Sequence, residues 1–354
     1  MNSSIRRIPC DSPTTKMWNL FLLLENESTV RPFLEKKYQK IGIDQPQKVA
    51  FWTAPSLIFY VKQAREYYRA AQKSDLFVRP LLVYYGMMTL SKALMLTLDP
   101  EYPKNSSLLR HGVSTRKRKR EHFRFFTDEV KAQREGLFSA LAQTYGWNEI
   151  IGEKWIMQEM FALIPEIQDG YRQLFSKETL YPIALPDLSA DANEGMPFIV
   201  EERILDVLHL TPQAMVNRLN NFPETEVQFS YGEKPFLKNR LLLYWHHPSV
   251  QHVDQWSLGF HHPMFREDLS GGYFLCPNVR DHTRCLPERF VHYILLFALS
   301  MLCRYEPPLW GEIIYGMISE ERVLIEEFLQ VTQRKFPNLI LNELFEEKIL
   351  FQQI

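Results

Sequence analysis

The stretch RPLLVYYGMMTLSKALMLTLD, residues 79–99, decides the fold class of this chain. Apolar residues fall on nearly every face of the helix that it would form, and Lys92 is the one charge in its interior. Pro80 suits the first turn of a helix, and Pro100 would end it. A helix that is apolar all round is usually buried. We therefore predict a central helix packed on all sides, followed by a polar loop that carries His111.

Composition bounds the class of protein. The chain has 354 residues, of which 45% are hydrophobic and 23% are charged, as in soluble globular proteins. The net charge of −1 gives no overall tendency to bind nucleic acid or anionic membranes. Fourteen glycines are few for this length, and the sequence contains no Walker A and no G-x-G-x-x-G motif. The four cysteines are scattered, which favours free thiols in a reducing compartment.

Two apolar runs were compared with the length that a membrane span needs, about 20 residues. Residues 81–98 are interrupted by polar side chains and a lysine, and residues 293–303 are too short. The N-terminus has no apolar core like that of a signal peptide. We therefore expect a cytoplasmic protein without membrane contact.

The hydrophobic period changes along the chain, and this predicts an α+β fold that is mostly α. We expect a helical bundle over residues 1–180 and a small antiparallel sheet within residues 225–276, followed by C-terminal helices that pack on it. The second domain would cover residues 181–354, or the two would form one continuous domain. The predicted helices of the bundle are a short one within 16–40, then 55–73, 79–99, 127–145 and 153–176. Those of the C-terminal segment are 287–304, 307–317, 319–335 and 337–350.

Four segments together resemble a known family: RPLLVYYGMMTLSKALML, LLRHGVS, HYILLFALSMLCRYEPPLWGEI and FPNLILNELF. They are similar to the YaaC-like family of bacterial, chiefly Bacillus-type, proteins. The resemblance implies little chemistry. Genes of this family often lie near purine-nucleotide genes such as that of IMP dehydrogenase, so it implies a possible protein partner in purine metabolism.

The N-terminal half also resembles HEPN-type helical bundles, many of which are ribonucleases or toxins. The residues that carry this resemblance are Arg79, Tyr84, Tyr85, Ala93, Leu94, His111, Gly112 and Val113. Active bundles carry an arginine and then a histidine four to six residues later on a later helix, but residues 127–145 and 153–176 contain no histidine. Arg116 and His122 have that spacing, in the segment before those helices. The resemblance implies a bundle without the nuclease pair. The alternative is a HEPN-type ribonuclease, or a toxin- or defence-related enzyme that acts on nucleotides, using Arg116, His122 and His111.

The strongest candidate binding site is the basic loop, which we define as residues 110–124. Arginine suits bidentate contact with phosphate or carboxylate, and Phe123, Phe125 and Phe126 could stack a base or begin an apolar element. A solvated charged segment is the simpler alternative. The candidate binding residues are Arg110, His111, Arg116, Lys117, Arg118, Lys119, Arg120 and Arg124. We predict a non-catalytic binding or regulatory protein whose basic loop contacts a nucleotide, RNA, another anion or a partner protein.

Residues 246–285 are rich in histidine and contain two cysteines. Such side chains are zinc ligands, but no C-x2-C or H-E-x-x-H motif is present. The weak candidates for a metal site are His247, His252, Cys276 and Cys285. We expect histidines of a small sheet here, and no cofactor.

Two single cations also need an explanation. Lys92 lies on the apolar helix and must reach water or a carboxylate, such as Glu66, because an unpaired buried ammonium is costly. Arg304 ends a second apolar helix, where a cation complements the helix dipole. We expect structural roles for both, and an inert core thiol at Cys303.

Overall fold

The structure is a computed structural model. It describes residues 5–115, 123–186, 195–221, 226–232, 239–247, 260, 262–276, 286–316 and 320–353. Helix is the main element, and the predicted class, α+β and mostly α, is confirmed.

The helices of the described residues are of very different lengths, from one turn to seven or eight turns. They are α1 (Pro13–Phe21), α2 (Glu27–Lys40), α3 (Pro46–Lys73), α4 (Arg79–Leu98), α5 (Leu137–Thr144), α6 (Met157–Phe161), α7 (Gln168–Phe175), α8 (Arg203–Leu208), α9 (Pro212–Asn220), α10 (Glu288–Tyr305), α11 (Pro307–Tyr315) and α12 (Glu321–Phe345).

The strands are short and form four small sheets in the described residues. They are β1 (Ile5–Cys10), β2 (Val113–Thr115), β3 (Glu129–Ala132), β4 (Lys154–Ile156), β5 (Tyr181–Pro182), β6 (Met196–Glu201), β7 (Gln228–Tyr231), β8 (Arg240–His246), β9 (Phe265–Glu267), β10 (Tyr273–Leu275) and β11 (Lys348–Gln353). β1 and β11 pair in parallel. The other three sheets are antiparallel, in the orders β2-β3-β4, β5-β10-β9 and β6-β8-β7.

The contacts divide the chain into two compact units. The first contains the described parts of residues 1–161 and 289–354, and the second those of residues 162–288. In the first unit, α4 packs against α3 and α12, so helices from both ends of the chain share one core. The division expected from the sequence grouped the C-terminal helices with the sheet instead. The second unit has its own core, in which Phe198, Leu243 and Trp245 are fully buried.

The central helix α4 is the core helix that the sequence predicts. Fourteen of its residues are buried. The hydroxyl of the buried Tyr38 donates a hydrogen bond to the Leu96 carbonyl of this helix at 2.8 Å. Among the described residues, this one helix is long and apolar enough to cross a membrane. Since 72% of its most apolar window is buried inside the protein, it resembles the core helix of a soluble protein.

Several predicted elements are wrong in detail. The predicted helix 127–145 contains strand β3 and then α5, because Gly136 between them has a φ of +124°, which a helix does not accept. The predicted helix 153–176 is strand β4 followed by α6 and α7. The two helices predicted around Pro337 are one helix, α12, and α3 begins at Pro46 and continues through Pro55.

Candidate functional site

His111 lies where the basic loop leaves the helical core. Its Nδ1 atom is 2.7 Å from the Tyr84 hydroxyl and 3.3 Å from the Met88 sulfur, both on α4. The Tyr293 hydroxyl on α10 donates a hydrogen bond to the His111 carbonyl at 2.7 Å. The backbone is held as well, since the Phe138 amide donates to the same carbonyl. The start of the basic loop is therefore fixed to α4, α5 and α10.

Arg304 lies in the last turn of α10 and is oriented by aromatic rings. Its Nη1 donates to the Tyr85 hydroxyl at 2.8 Å, and its guanidinium carbon is 4.5 Å from the centre of the Tyr305 ring. Within the described residues, the one hydrogen-bond partner of Nη2 is the Met301 sulfur, at 3.4 Å. Nε is buried and has no hydrogen-bond partner in the described part of the chain. The guanidinium is thus held in place while most of its donors are unused.

Lys92 lies two turns after Tyr85 on the same face of α4. Its ammonium is 5.9 Å from the centre of the Tyr60 ring, and burial lowers the pKa of Lys92. No carboxylate of a described residue lies within ion-pair distance of it. Glu66, which the sequence offered as a partner, instead pairs with Arg69 at 3.1 Å.

These groups form what we call the His111 cluster: Tyr84, Tyr85, Lys92, His111 and Arg304. Burial lowers the pKa of His111, and the positive charges of Arg304 and Lys92 lower it further. Burial also raises the pKa of the Tyr84 hydroxyl far above its ordinary value, so the phenol stays neutral. The cluster therefore carries two cations and, near pH 7, no compensating anion.

Two other partly buried cations of the first unit are neutralised. Arg65 pairs with Glu25 at 2.7 Å, and Lys37 pairs with Glu346 at 2.7 Å. Partly buried cations without a carboxylate are costly, because burial removes water without replacing it. The His111 cluster differs from these two sites, and its chemistry suits an anion.

Comparison with known proteins gives one match. A family model described as YaaC-like protein matches residues 22–344. The chain belongs to the YaaC-like family. The match runs from before α2 to the last turn of α12, so the YaaC-like region contains the second compact unit, most of the first and the whole His111 cluster. No curated protein and no solved structure matches the chain. The resemblance to HEPN-type bundles stays a prediction.

The structure of the YaaC-like region places only part of the predicted binding set. Arg110 is exposed and directly precedes His111, and its carbonyl accepts a hydrogen bond from the Leu137 amide at 2.8 Å. Arg124 is exposed, and its charge acts on Glu321 at the start of α12. Five predicted binding residues lie outside the described residues, as does His122 of the alternative nuclease pair. These five are Arg116, Lys117, Arg118, Lys119 and Arg120.

Phe125 and Phe126, which directly follow the basic loop, belong to the core. Phe125 is fully buried and Phe126 is 9% exposed, and both rings contact the ring of Phe161. The Glu321 carboxylate accepts the Phe126 amide at 3.0 Å and so fixes this end of the loop to α12. Of the two roles that the sequence left open for Phe125 and Phe126, the structure favours the apolar element, because both residues are buried.

The histidine-rich segment shows individual roles for the residues that are described. Nε2 of His247 lies 3.3 Å from a carboxylate oxygen of Glu226. Cys276 is buried in the core of the second unit. His252 and Cys285 lie outside the described residues. Within the described ranges, no group of three or more histidine, cysteine or acidic side chains could hold a metal ion.

His262 is a buried histidine of this segment with two backbone partners. Its Nε2 lies 2.9 Å from the Leu219 carbonyl, and its Nδ1 accepts the Met264 amide at 3.2 Å. The two contacts fit the neutral ring, because a second ring proton would face an amide hydrogen. Burial lowers the pKa of His262 to about 4. This histidine stabilises the sheet unit.

Sequence reasoning singled out Lys92 and Arg304 but gave each a structural role. What it missed is that both act on His111, although the three residues are far apart in the chain. Cys303 meets the sequence expectation: it is buried, its thiol donates to the Phe77 carbonyl at 3.1 Å, and burial raises its pKa. The sequence did hold one clue to the cluster. The ammonium of a lone lysine on an apolar helix, here Lys92, needs water or a negative charge close to it.

Proposed function

We propose that this protein is a non-catalytic, cytoplasmic binding protein whose ligand is a nucleotide, held through its phosphates by the His111 cluster and the basic loop. One observation carries the proposal. Arg304 and Lys92 both lower the pKa of His111, and neither has a carboxylate partner among the described residues. A bound phosphate would supply the missing negative charge.

The donors of the cluster match a phosphate group. Arginine offers planar, paired N–H groups that bind phosphate oxygens in parallel, and lysine adds a point charge. The Tyr85 hydroxyl and the Tyr305 ring already hold the Arg304 guanidinium, so little conformational entropy is lost when a ligand binds. Nε2 of His111 adds another polar atom, which no described residue engages in a hydrogen bond.

The sequence that follows His111 carries further positive charge. Arg116, Lys117, Arg118, Lys119 and Arg120 begin five residues after His111, whose backbone is fixed to α5 and α10. A nucleotide with several phosphates carries more negative charge than two cations neutralise, and the loop can supply the rest. Tyr305 is 60% exposed and offers a ring on which a base could stack.

Isothermal titration calorimetry with ATP tests the proposal. We expect saturable binding to the wild-type chain that weakens about tenfold or more in Lys92→Met and in Arg304→Gln, because hydrogen bonds to charged groups contribute roughly 1.5–3 kcal/mol each. Lys62→Met is the matched control, since Lys62 is an exposed lysine of α3. Its affinity should equal that of the wild type, and ATP should remain intact.

Three results would refute the proposal. The first is equal ATP affinity in all four proteins. The second is saturable binding of a single-stranded RNA oligonucleotide that ATP does not displace, which would make the ligand RNA. The third is hydrolysis of ATP or RNA that His111→Gln abolishes, which would make the protein an enzyme of the HEPN-type alternative.

A further inference from the structure

A second polar site lies in the first compact unit and shares no residue with the His111 cluster. Two cavities of about 270 and 200 Å³ adjoin, because Thr14 and Gln72 line both of them. Their walls come from α1, α3, α12 and the start of α4. Four arginines and no acidic side chain line the pair of cavities, as far as the chain is described.

The larger cavity has the character of an anion site. Arg79, the first residue of α4, donates from Nη2 to the Ser74 carbonyl at 2.8 Å, and no described carboxylate forms an ion pair with it. The carboxylate of the nearby Asp75 instead accepts hydrogen bonds from the Phe77 amide at 2.8 Å and from the Tyr315 hydroxyl at 2.7 Å. Arg79 therefore keeps donors for a ligand.

A second polar side chain of the larger cavity is also fixed. Gln333 is only 9% exposed and lines the cavity, so its amide group is held in place by the core of α12. Its Nε2 donates to the Leu329 carbonyl at 2.8 Å. Thr14 lies in the first turn of α1, and Arg79 in the first turn of α4. The Arg79 side chain supplies the unpaired positive charge of this cavity, and its buried Nε has no hydrogen-bond partner among the described residues.

The smaller cavity differs in charge and shape. Arg65 and Arg69 line it, but Glu25 and Glu66 pair with them at 2.7 and 3.1 Å. Trp18 forms part of its wall, and this indole is held against the rings of Phe21 and Tyr68, with centroids 4.9 and 5.2 Å away. This cavity offers a rigid aromatic surface and little unpaired charge.

We infer that the two cavities form one binding site for a small phosphate ester that carries a flat organic group. The phosphate occupies the larger cavity beside Arg79, and the flat group lies against the Trp18 indole. Neither cavity alone reaches the 300–1,000 Å³ typical of ligand pockets, whereas the joined pair does. The site is separate from the His111 cluster, because Arg79 and Lys92 lie about 20 Å apart along α4.

Calorimetric titration with two probes, inorganic phosphate and phenyl phosphate, tests each part of the site. The wild type should bind both at millimolar concentrations or below, and phenyl phosphate more tightly. Arg79→Gln should weaken both probes at least tenfold. Trp18→Leu should weaken phenyl phosphate while leaving inorganic phosphate unchanged.

Controls separate this site from other causes. Arg322→Gln changes an exposed arginine of α12 outside the cavities and should bind both probes like the wild type. Lys92→Met should leave the Arg79-dependent step of both titrations unchanged, which keeps this test independent of the His111 cluster. Urea unfolding of each variant establishes that the fold is intact. The inference is overturned if neither probe binds saturably, if Arg79→Gln binds both like the wild type, or if Trp18→Leu weakens both equally.

Discussion

Gly86 allows α4 to approach α3 closely, and replacing it with alanine tests the packing on which the His111 cluster depends. A Cβ atom at this position would lie 2.8 Å from two ring carbons of Tyr68 and 3.3 Å from Cβ of Tyr67. Tyr68 is 1% exposed, so its ring is enclosed by other parts of the core. The added methyl group therefore has to push the two helices apart.

Two effects of opposite sign decide the magnitude. Alanine stabilises a helix interior by about 0.8–1.0 kcal/mol relative to glycine. Overpacking a well-filled core costs typically 1–3 kcal/mol, and a contact at 2.8 Å with a buried ring belongs in the upper half of that range. We therefore expect Gly86→Ala to lower the free energy of unfolding by about 1–2 kcal/mol.

Gly311 in α11 provides the matched control. A Cβ atom there would meet one ring carbon of Phe77 at 3.7 Å, which is ordinary contact. Gly311→Ala should therefore raise the free energy of unfolding, by up to about 1 kcal/mol. Urea titration followed by far-ultraviolet circular dichroism measures both variants. The packing argument is refuted if Gly86→Ala is as stable as the wild type, or if both substitutions change stability in the same direction.

Three further predictions concern single polar groups. Lys92→Met should weaken ATP binding but raise the free energy of unfolding in urea titration by up to about 1 kcal/mol. The reason is that it removes a partly buried ammonium that has no carboxylate partner among the described residues. Equal or lower stability would contradict this. His262 has a pKa of about 4 in the fold against 6.5 when exposed, so the unfolded chain binds the extra proton. Stability should therefore fall by up to about 3 kcal/mol as the pH is lowered from 7 to 4, and urea midpoints of His262→Gln should lack that part of the slope. Tyr38→Phe leaves the buried Leu96 carbonyl without its donor and should cost about 1–2 kcal/mol in the same assay; an unchanged midpoint would mean that this hydrogen bond contributes nothing.

The sequence predicts the central helix well because the apolar character of residues 79–98 does not depend on knowing its neighbours. It predicts residues 127–145 poorly for the opposite reason. The segment EVKA becomes strand β3 only because β2 and β4 pair with it, with Val113 opposite Ala132 and Glu129 opposite Ile156. Such pairings join segments that are distant in the sequence. A prediction from the local hydrophobic period cannot include them, and here that period favours a helix.

The candidate site divides in the same way. The charge of the basic loop is contiguous in sequence, so it can be recognised directly. The His111 cluster joins residues 84, 92, 111 and 304, and only the packing of α4 against the C-terminal helices brings them together. In the sequence, Lys92 looks like an ordinary surface cation and Arg304 like a helix-end cation. In the fold, both charges act on His111.

The most direct test of the His111 cluster as a phosphate site is the pKa of His111 itself. It can be measured by nuclear magnetic resonance from the imidazole shifts of the full chain, assigned with His111→Gln, with and without ATP. Without ATP we expect a pKa below 6.5, because burial and the charges of Arg304 and Lys92 disfavour the imidazolium. Saturation with ATP should raise this pKa, since the bound phosphates offset both charges. A pKa that ATP leaves unchanged at saturating concentration would contradict the proposed site.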